Sequence, residues 1–256
     1  MHSEFQEPVQ YALPVGEQMV PLNQFTGAPV LMEYLGIINC IKCGRETKKS
    51  FAQGYCYPCF VSVPETEECV LRPELCRAHL GIARDMAYAK THCLIEHVVY
   101  LSITGGLKVG VTRNTQVPTR WIDQGAVKVI ELARTPNRHT AGLLETALKK
   151  HLDDKTNWRK MLTGDHAGSV NLPDVKHKIF ETMPEDFRRY YITENRELSI
   201  SYPVEQYPEK VRSMDFDKTA VIEGILTGIK GQYLMFDGDR VINIRKYGGY
   251  LVKLAV

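Results

Sequence analysis

The 256-residue chain has no stretch of about 18 apolar residues, so it is not expected to span a membrane. Residues 1–20 lack the charged start and apolar run of a secretory signal, so the expected compartment is the cytoplasm. Net charge is scarce too, at only +2, which excludes a uniformly basic nucleic-acid coat. Residues 40–97 are short of long apolar periods, so a large core is not expected to hold them. Cysteine, by contrast, is not scarce. Seven thiols without an export signal point to metal binding rather than disulfides.

The spacing Cys40-x2-Cys43-x12-Cys56-x2-Cys59 is the strongest single signal. Each CxxC knuckle puts two thiolates on one tight turn, and two such turns close a tetrahedron around zinc at Zn–S distances of about 2.3 Å. Gly44 follows Cys43 and Gly54 precedes Cys56, which suits turns that need positive φ. Four thiolates leave no open position for substrate, so a structural zinc is expected.

A second constellation follows, with three Cys and three His in residues 69–97. Its best four-ligand set is Cys69-x6-Cys76-x16-Cys93-x3-His97, with the last two expected on one face of a helical turn. His79 is the rival fourth ligand. A second zinc is expected here.

The architecture expected is α+β, in five parts. Residues 1–39 form an N-terminal β segment, 40–97 the zinc-binding region, 98–165 an α/β core, 166–199 a helical connector and 200–256 a C-terminal β segment. Neither β end has enough strands for its own core, so the two are expected to pair into one small barrel. The stretch from Ala28 to Ile37 can be laid over Thr219 to Ile229, as a degenerate repeat or a coincidence. Charge is concentrated in the middle. Residues 105–160 hold six Lys and five Arg against three Asp and two Glu. That suits either a local phosphate-binding face or a solvated surface.

Within the core, Val98 to Thr104 alternates as a strand, Gly105-Gly106 turns, and Leu107 to Arg113 returns as a hairpin. Thr140 is expected to N-cap a helix running to about Leu152. Glu145 falls inside that helix's apolar stripe of Ala141, Leu144, Leu148 and Leu152. A carboxylate there is costly unless paired or bound to a cation. Two short helices broken at Pro184 are expected over 173–191.

Tyr100, Lys108-Val109-Gly110, Arg120 and a helix carrying Glu145 together resemble the GIY-YIG nuclease superfamily. The likeness is to a shorter branch in which a Lys-Ile-Gly-like triplet replaces Tyr-Ile-Gly. The whole chain also resembles an uncharacterised bacterial family. In that family a Cys-rich region precedes segments like Arg120-Trp121-Ile122-Asp123-Gln124-Gly125-Ala126 and Asp154-Lys155-Thr156-Asn157-Trp158.

The superfamily resemblance implies a GIY-YIG-like core and roles for four catalytic residues. Tyr100 would position or deprotonate a water. Lys108, in place of the second Tyr, would hold a phosphate or aid proton transfer. Arg120 would neutralise the scissile phosphate, and Glu145 would bind one Mg²⁺ or Mn²⁺. Asn157 would match a late polar residue. Arg113, Arg120, Lys155 and Arg159 are the expected nucleic-acid contacts, with DNA or RNA as partner and the oligomeric state open.

The first triplet here is Val98-Val99-Tyr100, without Gly or Ile. Gln124 stands where the superfamily has His, and an amide is no general base. Hairpin register matters as well. A two-residue loop at Gly105-Gly106 would put Tyr100 and Lys108 on opposite faces, whereas a three-residue loop would put them on one. Three function classes are therefore expected: a metal-dependent endonuclease, a non-catalytic nucleic-acid-binding module, or a zinc-stabilised protein-interaction scaffold.

Overall fold

The structure is a computed structural model that describes residues 1–150, 152, 156–164 and 170–256. Lys155 and Asp154 lie outside the described residues. In chain order the elements begin with β1 (His2–Glu4), β2 (Gln10–Val15), β3 (Gln18–Pro21) and β4 (Pro29–Ile38). Next come α1 (Tyr57–Ser62), α2 (Met86–His92), β5 (His97–Ile103), β6 (Leu107–Arg113), α3 (Thr119–Asp123) and β7 (Lys128–Thr135). Then follow α4 (Arg138–Leu148), α5 (Trp158–Leu162), α6 (Leu172–Thr182), α7 (Glu185–Arg188), β8 (Glu197–Ser199) and β9 (Arg212–Ser213). The chain closes with β10 (Val221–Lys230), β11 (Tyr233–Phe236), β12 (Arg240–Asn243) and β13 (Tyr250–Ala255).

Among the described residues the fold is α+β with three sheets, ordered β1-β2-β3, β13-β4-β10-β11-β12-β9 and β6-β5-β7-β8. The middle sheet joins the two ends of the chain, because β4 pairs antiparallel with both β10 and β13. The two stretches that look alike in sequence are thus adjacent strands. No barrel closure is seen among the described residues, which corrects the expected barrel. One end of the sheet is β13. The other is β9, only two exposed residues long and too short to reach round. The N-terminal segment is divided instead, with β1 to β3 forming their own sheet.

The core sheet is built on β5, buried at every position from His97 to Ile103. Its Val, Leu and Ile run reads as a central strand covered on both faces. Ile103 pairs with Leu107, leaving a three-residue connection of Thr104, Gly105 and Gly106. In this register Tyr100 faces Gly110 and Ser102 faces Lys108, so Tyr100 and Lys108 share one face of the sheet. Arg113 pairs with His97 on the opposite face.

Helix α4 starts earlier than its sequence suggests. Asn137, not Thr140, is the N-cap, and its side chain accepts from the Thr140 N–H at 2.9 Å. Pro184 separates α6 from α7, since it lacks the N–H a continuous helix would need. Helix α5 packs Met161 and Leu162 against Met235 and Val241, tying the core sheet to the C-terminal strands. No described helix is long and apolar enough to cross a membrane.

Candidate metal centres and phosphodiester site

The first Cys knuckle leaves the end of β4. The Gly44 N–H closes a turn onto the Cys40 carbonyl at 2.9 Å, with Gly44 at φ +70°. The second knuckle opens α1, with Cys56 as its N-cap residue and Cys59 in the first turn. All four sulfurs lie within 4.8 Å of one another. Cys43 Sγ and Cys56 Sγ are 3.9 Å apart, against about 3.8 Å for the edge of a zinc tetrathiolate with bonds of about 2.3 Å. Burial raises the Cys40 thiol, but the backbone N–H groups of Cys56, Cys43 and Lys42 outweigh it and bring it down to about 6. Those donors favour the thiolate a metal requires.

Cys69, Cys76 and Cys93 form the second cluster, all buried, with their sulfurs within 4.8 Å of one another. Hydrogen bonds from the Cys69 and Cys93 thiols lower the Cys76 thiol. Arg138, itself buried, donates to Cys69 Sγ at 3.3 Å. The two Cys clusters are consistent with structural zinc sites.

The helical turn expected to carry Cys93 and His97 is not formed. Helix α2 ends at His92, and His97 already belongs to β5, where burial in the sheet centre outcompetes helix continuation. His97 is not within the group of three sulfurs. Its Nδ1 donates to the Ile95 carbonyl at 2.8 Å, which fixes the tautomer and leaves a lone pair on Nε2. That Nε2 is buried with no hydrogen-bond partner, and burial lowers the His97 pKa to about 4. His79 is exposed and stacks on His139 at 4.3 Å.

On the other face of the core sheet, Tyr100 is fully buried and donates from its hydroxyl to Gln124 Oε1 at 2.8 Å. A Cβ on Gly110 would sit 2.7 Å from the Tyr100 ring and hydroxyl, so the glycine of the Lys-Val-Gly triplet makes room for the tyrosine of the first. Trp121 flanks the ring at 5.7 Å. Burial pushes the phenol above its ordinary range, Arg120 lowers it and Glu145 raises it further, so all three lie within electrostatic reach. Glu145 is buried and pairs with Lys149 one turn on at 3.4 Å. Lys108 is buried and donates to Thr156 Oγ1 at 3.1 Å.

The remaining described candidates make other contacts. Arg113 is half-buried beside Cys93, Arg138 and Tyr88. Arg159 lies over the Trp158 ring at 4.2 Å, and Trp158 stacks on Tyr233 of β11. Asn157 caps α5 by accepting from the Lys160 N–H at 3.1 Å. Nor does the positive run form one free face. Lys128 pairs with Glu197, Arg134 with Glu131 and Glu96, and Arg138 is committed to the second cluster. Sequence reasoning missed Lys149, although its i+4 spacing from Glu145 was a readable signal.

Residues 27–252 match the family described as "Protein of unknown function (DUF2797)". The chain belongs to that family. Both Cys clusters and the Tyr100 site fall inside the DUF2797 span, while β1 to β3 precede it. No curated protein and no solved structure matches the chain.

Proposed function

We propose that this chain is a zinc-stabilised nucleic-acid-binding protein whose GIY-YIG-like centre hydrolyses phosphodiester bonds. The observation that carries the reading is that Tyr100 and Lys108 share one sheet face while Arg120 and Glu145 lie in electrostatic reach of the Tyr100 phenol. In this reading Arg120 neutralises the phosphate as charge develops, and buried Lys108, steadied by Thr156, holds a phosphate oxygen. Glu145 would hold a Mg²⁺ or Mn²⁺, which supplies charge at the leaving oxygen when bound. A single carboxylate beside substrate phosphates suits such an ion, which keeps several waters. The two Cys clusters would each hold a structural zinc; the buried, unpartnered Nε2 of His97, which lies outside the group of three sulfurs, would complete the second on a shift toward them.

One observation favours a second reading, a binding module without catalysis. The Tyr100 hydroxyl already donates to Gln124, an amide that takes no proton, and burial keeps the phenol neutral. The test is cleavage of labelled single-stranded and duplex DNA and RNA with Mg²⁺ or Mn²⁺. The hydrolytic reading expects slow cleavage that Glu145→Ala abolishes while leaving binding mostly intact. Salt-sensitive binding with no cleavage of any substrate selects the module. Absence of both overturns nucleic-acid engagement altogether.

A further inference from the structure

The geometry points to a base-binding pocket beside Tyr100, one that takes an unpaired nucleobase and makes single-stranded nucleic acid the substrate class. This rests on the nucleic-acid reading above and deepens it.

The register of the core sheet sets two rows of side chains on one face. Lys108, Ser102, Val129 and Leu198 follow one another across β6, β5, β7 and β8, and Gly110, Tyr100 and Glu131 form the next row. Lys108 and Tyr100 occupy the β6–β5 side of that face. On its β7–β8 side lies a cavity of about 530 Å³, with Val129, Glu131 and Leu198 in its lining. Adjacent strands are about 4.8 Å apart, so this lining begins one strand from Tyr100. Trp121 joins the two halves. It lines the cavity, its ring lies 5.7 Å from the Tyr100 ring, and it directly follows Arg120 in α3. A strand with a phosphate on Arg120 therefore brings a base to the mouth of the cavity.

The chemistry of the walls selects what enters. Trp121, Pro118, Val129, Leu198 and Phe5 are apolar and suit the flat faces of a heteroaromatic ring. Polar groups are few, and Arg134 is committed to Glu131 and Glu96. Glu194 and Arg196 border the same cavity, exposed and in no ion pair among the described residues. The carboxylate offers acceptors and the guanidinium donors, the two functions that a base edge needs. A base paired in a duplex hides that edge and its stacking faces, so an unpaired base is the occupant.

The experiment measures binding of three short fluorescein-labelled probes at low salt. They are a thymidine strand, the same backbone with every base removed, and the duplex of the thymidine strand. Wild type, Leu198→Trp and Arg196→Ala are compared, with metal content and melting followed in parallel. Wild type should bind the thymidine strand about tenfold or more tighter than the abasic strand, with the duplex weaker than the thymidine strand. Leu198→Trp fills the cavity and should bring that ratio close to one while abasic binding stays as it was. Arg196→Ala should lower the ratio about threefold. If Leu198→Trp keeps its metal and melting, it decides; if it does not, the exposed-site variant Arg196→Ala decides. An unchanged ratio in the deciding variant overturns the pocket alone, as does a wild type that binds all three probes equally. Thymidine monophosphate competing as well as the strand also overturns it, since the occupant would then be a free nucleotide. No binding of any probe by wild type overturns the nucleic-acid reading and the pocket together.

Discussion

The two cysteine clusters are built on opposite principles. The first draws its thiols from two short turns within residues 40–59, each closed by local backbone bonds such as Gly44 N–H to the Cys40 carbonyl. The second gathers Cys69, Cys76 and Cys93 from separate segments and depends on α4 for its walls. The first residue of α4, Arg138, donates its backbone N–H to the Cys93 carbonyl at 2.8 Å and its guanidinium to Cys69. Gly142 then lets the loop before Cys76 lie directly on the helix, since a Cβ there would be 2.2 Å from the Glu74 nitrogen. A site made of local turns carries its own geometry. A site made of distant segments borrows geometry from the core, and the core's stability is part of its metal affinity.

The largest effect is expected at the first cluster. Cys43→Ser should remove one zinc per chain and lower stability by several kcal/mol, because structural zinc binding is largely folding free energy. Elemental analysis and thermal melting measure both. A variant that keeps two zinc ions would break the assignment of this cluster. Loss of both ions would show that the clusters are not independent.

At the second cluster, His97→Ala should reduce metal affinity by about a hundredfold or more, while His79→Ala leaves it unchanged. Competition with a chromophoric chelator reads the difference. The reverse order would make His79 the ligand and leave the orphaned Nε2 of His97 without explanation.

The smallest effect sharpens the contrast itself. Gly142→Ala removes no thiol, yet it should cost about 1–3 kcal/mol through overpacking against Pro73 and Glu74. The second zinc should become easier to chelate while the first is untouched. Equal sensitivity of both ions to this substitution would erase the distinction between the local and the borrowed site.

The same division runs through the rest of the molecule. The hairpin of β5 and β6 was legible because Gly105-Gly106 sits between two alternating runs, but its register was not. Either loop length satisfies the turn chemistry, and pairing of Ile103 with Leu107 in the sheet decided it. The pairing of the chain ends was inferred from strand count, yet the open sheet and the separate β1-β2-β3 sheet were not. Closure depends on how far β9 and β13 extend, which no local pattern states.

Charge was legible as a sum and not as a surface. The positive run in residues 105–160 is real, but ion pairs with Glu197, Glu131 and Glu96 consume part of it. Glu145 was readable as a costly carboxylate on an apolar stripe. Its partner Lys149 was one helical turn away and went unread.

The sequence by itself determined the first cluster, the hairpin strand that became β5 and the break at Pro184. In each case the cause is short-range: a fixed ligand spacing, a strand pattern before a Gly-Gly turn and a missing N–H. Only the tertiary structure decided that Gly110 admits the Tyr100 ring, that His97 enters a strand instead of a helical turn, and that Arg245 meets Asp123. Those contacts join residues far apart in the chain, and their energies appear only once the sheets have packed.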